Sequence, residues 1–158
     1  HGASWGAGGW VVVGAKGTIL TSADGAEWAK RASGIKDLSI GLKGVAHGAK
    51  GYVAVGDYGT TLASADGVLW KPSVSGRESH LMTVTGCPGE YVATGSLNGP
   101  ALSGAIHRRV FVSSDGENWW VVGMAERNPF YGVACGGDRT VVLVGRTIAQ
   151  SDPLREPD

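Results

Sequence analysis

The chain has 158 residues, 14 basic and 14 acidic, so its formal net charge is zero. That balance argues against a broad nucleic-acid or anionic-membrane footprint, which needs a basic excess. With 42% apolar residues and 27 glycines but no triplet period, it is neither disordered by composition nor collagen-like.

In chain order, His1-Gly2 reads as the end of a first strand, and Gly2 to Gly9 as a glycine-rich turn carrying Trp5. Strands are predicted over Gly9–Gly14 and Thr18–Ser22, then an Asp24-Gly25 turn, then Trp28 opening a weaker strand to Ser33. The second unit predicts strands over Gly44–Gly48, Gly51–Gly56 and Thr60–Ser64, then Asp66-Gly67 and Trp70. Asp24 to Asp66 and Trp28 to Trp70 are each 42 residues. A third unit follows with Thr83–Gly86, Tyr91–Gly95, Val110–Ser114, Asp115-Gly116 and Trp119, and a weaker strand to Met124. The fourth has Gly132–Gly136, Val141–Gly145 and Thr147–Asp152, and no tryptophan.

Short β-branched runs punctuated by glycine and Asp-Gly turns read as antiparallel meanders. Helix caps and a 3.6-residue period are absent. Four-stranded units repeating every 40 to 50 residues or so are propeller blades. The sequence therefore predicts an all-β propeller domain over 1–158 with about four antiparallel blades, the first and last incomplete. Blade 1 covers 1–33, blade 2 covers 34–75, blade 3 covers 76–124 and blade 4 covers 125–158. Open sheet edges invite pairing, so the expected partners include the remaining blades of a larger ring or another copy of the chain.

Ser22–Trp28, Ser64–Trp70 and Ser113–Trp119 share the pattern Ser-x-Asp-Gly-x-x-Trp. It resembles, in shortened form, the Asp-box or bacterial neuraminidase repeat of sialidase-like propellers. With the Gly-aromatic-Val-Ala-Val-Gly strand it is also similar to propellers of the photosystem II assembly-factor type. The box residues, Ser22, Asp24, Gly25, Trp28, Ser64, Asp66, Gly67, Trp70, Ser113, Asp115, Gly116 and Trp119, read as structural. Each Asp accepts backbone N–H groups in its own turn, each Gly takes a positive φ, and each Trp packs between blades.

Two constellations stand outside the repeat. Ser96–Arg109 is an insertion between the second and third strands of blade 3; the equivalent stretch in blade 2 is Asp57–Thr60. Long loops in compact domains are often functional, and Asn98, His107, Arg108 and Arg109 suit an anionic or carboxylate ligand. Trp5 is a candidate for stacking on a sugar. Second, His1, His47, Cys87 and Cys135 fall at nearly equivalent strand ends, and imidazole and thiolate suit zinc or copper. Against a metal site stands the separation of neighbouring innermost strands. The cysteines leave the redox compartment open.

No Gly-x-Ser-x-Gly elbow, His-Glu-x-x-His or phosphate loop is present, and no cofactor is expected. The reading is a non-catalytic binding or scaffold propeller that recognises protein or glycan through loops on one face, without nucleic acid or membrane insertion. The alternative is part of a sialidase-like glycoside hydrolase whose catalytic residues lie mainly outside this chain. The resemblance implies a secreted, periplasmic or cell-surface setting.

Overall fold

A computed structural model describes residues 1–74, 79–97, 108–125, 130–145 and 148–150. Blade 1 is β1 (Gly2–Gly6), β2 (Gly9–Val13), β3 (Ile19–Ser22) and β4 (Ala29–Arg31). Blade 2 is β5 (Leu42–Gly48), β6 (Gly51–Gly56), β7 (Thr60–Ser64) and β8 (Lys71–Val74). Blade 3 is β9 (Ser79–Cys87), β10 (Glu90–Leu97), β11 (Arg108–Ser113) and β12 (Trp120–Ala125), and blade 4 is β13 (Phe130–Cys135), β14 (Val141–Gly145) and β15 (Ile148–Gln150). Every pairing is antiparallel between sequence neighbours. Strands β1, β5, β9 and β13 adjoin in that order, so the four sheets stand as propeller blades with their first strands innermost. Among the described residues no helix is long and apolar enough to cross a membrane.

Alternation along each strand divides its residues between two seams. In blade 2, Val45, Tyr52, Ala54, Leu62 and Trp70 pack with Val11, Val13 and Ile19 of blade 1. Ala46, Val53 and Val55 pack the other way, against Leu81, Val84, Tyr91, Ala93 and Phe111 of blade 3. Val92 and Val112 then meet Val141, with Val133 and Leu143 alongside. A single-residue slip would exchange these faces, so the register is fixed by the apolar pattern.

The first blade differs from the sequence expectation. It is complete, and Gly2–Gly6 is its innermost strand, with Trp5 inside the strand and not in a turn. The run Gly-Ala-Ser-Trp-Gly lacks β-branched residues, so propensity hides it. Small residues are required because the next blade lies close. A Cβ added at Gly2 would come within 3.0 Å of the Gly44 Cα, and one at Gly44 within 3.2 Å of the Thr83 Cα.

The two faces of the row of blades differ. The lower face carries the hairpins between first and second strands and the Asp-Gly turns. There the Tyr52 hydroxyl donates to the Gly9 carbonyl at 2.7 Å and accepts from the Gly8 N–H at 3.1 Å. One blade on, Tyr91 donates to the Gly51 carbonyl at 2.8 Å. Val141 holds the corresponding place in blade 4 and has no hydroxyl. That seam is closed instead by the Arg139–Glu90 ion pair at 2.9 Å and a Cys87–Cys135 disulfide. The upper face carries the starts of the innermost strands and the turns between second and third strands, Ala15–Gly17 and Asp57–Gly59.

Candidate binding face

The three Ser-x-Asp-Gly-x-x-Trp turns are wired alike. Ser22, Ser64 and Ser113 donate to Asp24, Asp66 and Asp115 at 3.0, 3.1 and 3.0 Å. The Gly25, Gly67 and Gly116 N–H groups donate to the serine hydroxyls at 2.8, 2.9 and 2.8 Å. Two further N–H groups in each turn donate to the carboxylate, from Ala26 and Glu27, Val68 and Leu69, Glu117 and Asn118. The indole N–H groups of Trp28, Trp70 and Trp119 close back on the glycine carbonyls at 3.1, 2.8 and 3.2 Å. Those glycines have φ of 83°, 79° and 79°, a left-handed backbone that side chains with a Cβ resist.

These bonds favour the ionised acids. The Ala26 and Glu27 N–H groups hold Asp24 below its ordinary pKa, and those of Leu69 and Val68 do so for Asp66. For Asp115, burial pushes upward, but bonds from Asn118, Glu117 and Ser113 outweigh it and bring the pKa to about 2. Trp70 and Trp119 pack into the seams before their blades. Trp28 lies on the first blade's outer side and is largely exposed. Every turn carboxylate is thus engaged inside its own turn.

The candidate ligand residues are not brought together. Trp5 stands at the lower end of β1, edge-on to Trp10 with ring centroids 5.2 Å apart. The insertion leaves the end of β10 on the upper face. Asn98 and His107 lie outside the described residues. Arg108 and Arg109 are not loop residues as expected but open β11, opposite Ser96 and Gly95. Arg109 lies on the same face of its sheet as Phe111, toward blade 2. Its Nε is buried and has no hydrogen-bond partner among the described residues.

The proposed metal set is also not assembled. His1 stands before the upper end of β1, and Trp5, not His1, is the register counterpart of His47. Cys87 sits one pairing step further along its hairpin than His47, opposite Glu90. The two sulfurs are bonded to each other, with Cα atoms 5.5 Å apart. His47 instead packs edge-on to Tyr52 at 4.7 Å. Sequence reading took shared composition for shared register.

The structure gathers another group on the upper face. Asp57 accepts from the Gly41 N–H at 3.0 Å, meets His80 Nδ1 at 3.0 Å and pairs with Lys43 at 3.4 Å. Burial pushes its pKa up, but His80, Gly41 and Lys43 together hold it below the ordinary carboxylate range. The Tyr58 ring lies against His80 at 5.0 Å. Tyr58 has φ of 54°, uncommon for a residue with a bulky side chain. Sequence reasoning missed this group because its members come from two blades. The one signal was a chemically distinctive Asp-Tyr-Gly where blade 1 has Ala15-Lys16-Gly17.

No protein-family model and no curated protein matches the sequence. Among solved structures the chain is similar to YCF48 bound to D1 peptide, with a TM-score of 0.52 and 13% identity. The likeness covers 96% of this chain and 64% of that one, so the chain spans less than two thirds of its length. At this identity the comparison supports the fold alone, a β-propeller.

Proposed function

We propose that this chain is a non-catalytic binding propeller that recognises a protein segment on its upper face. The observation that carries the reading is the Asp57–Lys43–His80 group. It lies on the upper face, as does the start of β11, where the buried Arg109 Nε has no hydrogen-bond partner among the described residues. Asp57 already has three partners, so it serves as a fixed anchor for Lys43 and His80 and not as a proton-transfer residue. Lys43, with Arg108 and Arg109, suits a carboxylate or acidic segment. That the structurally similar YCF48 is bound to a peptide favours protein over glycan, and the sugar-stacking candidate Trp5 lies on the opposite face.

The sialidase-like alternative receives no support from the described residues. Arg31 bonds Thr21 on an outermost strand, Arg139 pairs with Glu90 on the lower face and Arg109 lies on the upper face. These side chains do not converge on one substrate carboxylate. The three shared turns support the finer kinship with Asp-box propellers. The Cys87–Cys135 disulfide supports a secreted, periplasmic or cell-surface setting, since disulfides persist in oxidising compartments.

The test is parallel selection of random dodecapeptides and a glycan array on the immobilised chain. The expected result is an enriched peptide family whose binding falls in an Arg108→Ser/Arg109→Ser variant and in His80→Ala. Glycan binding without peptide enrichment contradicts the reading.

A further inference from the structure

The innermost strands share a device that composition does not show. In β5, β9 and β13 the pairing register slips by one residue at the upper end: after Leu42, after Leu81 and after Phe130. The residue before each slip is buried and apolar. The extra residue is Lys43, Met82 or Tyr131. His1 holds the same place before β1, because Gly2 pairs with Val13 as Gly44 pairs with Val55.

A β-bulge disrupts the ladder locally and re-aims a side chain, so its recurrence in one place marks a designed feature. Packing does not explain the extra residues. They are chemically unlike one another, and Met82 and Tyr131 are 43% and 68% exposed on neighbouring strands. Tyr58, 51% exposed, lies against the ring of His80, two residues before Met82. Fixed backbone with variable, solvent-facing chemistry is the pattern of a recognition position. The bulge keeps these side chains out of the seams while Leu42 and Leu81 fill them and Phe130 is buried.

We infer that the bulge residues read the partner: an extended peptide crosses β5, β9 and β13, placing an apolar side chain on Met82 and Tyr131 and a carboxylate toward Lys43 and His80. This rests on the upper-face binding reading above. The occupant follows from the chemistry. A thioether and a phenol at equivalent exposed positions on neighbouring strands offer an adaptable apolar surface. Lys16, Lys36, Lys43 and Arg109 outnumber Asp37 and Asp57 among the described charged residues at this end of the blades, so charge complementarity selects an acidic neighbour. A sugar would need free carboxylate or amide acceptors here, and the oxygens of Asp57 are already engaged.

The sequence has two methionines, Met82 and Met124, and Met124 is on the outermost strand β12. Methyl-labelled methionine therefore gives two assignable NMR signals. The probe is acetyl-Gly-Phe-Asp-Gly-amide. It is expected to move the Met82 methyl upfield and leave Met124 in place. Replacing Phe by Ala in the probe, or Tyr131 by Ser in the protein, is expected to weaken binding about tenfold, the scale of one lost apolar contact. Replacing Asp by Lys in the probe is expected to weaken it as well. A Met82 signal that none of these probes moves overturns the inference, and so does an equal response to the Asp and Lys probes. If dodecapeptides selected on the upper face bind Met82→Ser/Tyr131→Ser as tightly as the native chain, this inference fails while the upper-face reading stands. If no peptide is selected at all, that reading fails first.

Discussion

The Tyr91 hydroxyl donates to the carbonyl of Gly51, 2.8 Å away in the preceding blade, just as Tyr52 donates to Gly9. Both rings are buried, and desolvation raises both phenol pKa values. Tyr91→Phe leaves a buried carbonyl without its donor and is expected to cost about 1–3 kcal/mol of unfolding free energy. Tyr52→Phe is expected to cost a similar amount, and because Tyr91 bonds the carbonyl of the Gly51–Tyr52 peptide, the double variant measures the coupling between the two. Urea titration checks this, and two silent substitutions would contradict it.

Equivalent tryptophans are expected to differ sharply in worth. Trp70 is 9% exposed in the seam between blades 1 and 2, and Trp28, at the same place in blade 1, is 42% exposed. Trp70→Ala is expected to cost about 3–5 kcal/mol, as for a buried aromatic, and Trp28→Ala much less. Thermal melts of the two variants decide this.

Acid should loosen the turns in a predictable window. The Asn118, Glu117 and Ser113 donors hold the Asp115 carboxyl at about 2 in the folded chain, below the ordinary carboxylate range. Because the folded value is depressed, its contribution to stability is full above about pH 4 and fades as pH falls through about 2. Asp115→Asn is expected to destabilise at neutral pH and to flatten the fall in melting temperature over that window. An unchanged acid profile would contradict the wiring described.

The disulfide joins residues 48 apart in sequence. On the chain-entropy account, a closed loop of this size contributes up to about 4 kcal/mol. Reduction, or Cys87→Ala/Cys135→Ala, is expected to lower the denaturation midpoint and to release hydrogen-exchange protection first in β13 and β14. Uniform loss across all blades would show that the bridge does not act at this seam.

The repeat was legible because the turn residues carry their own geometry: Ser113, Asp115, Gly116 and Trp119 need no distant partner to announce a turn. Strand β1 was not, since Gly2 lies against Gly44 of the next blade and Gly2, Ala3 and Ser4 carry little strand propensity. The bulge positions were hidden because a slip changes pairing without changing composition. Asp57 and His80 were hidden because they are 23 residues apart and meet only across a seam. Local chemistry is written in the order of residues, and contacts between blades are not.

The central claim is radial: blades meet at their first strands and spread toward their last. Cys87 and Cys135 are bonded to each other, so introduced cysteines can carry spin labels. Lys43 and Met82 are repeat-equivalent on innermost strands, and Lys71 and Trp120 are repeat-equivalent on the outermost strands of the same two blades. Three strand spacings, roughly 14 Å, separate inner from outer. Pulsed electron–electron resonance should give a clearly longer distance for the Lys71→Cys/Trp120→Cys pair than for Lys43→Cys/Met82→Cys. Equal distances would mean parallel stacking of sheets, and would contradict a propeller.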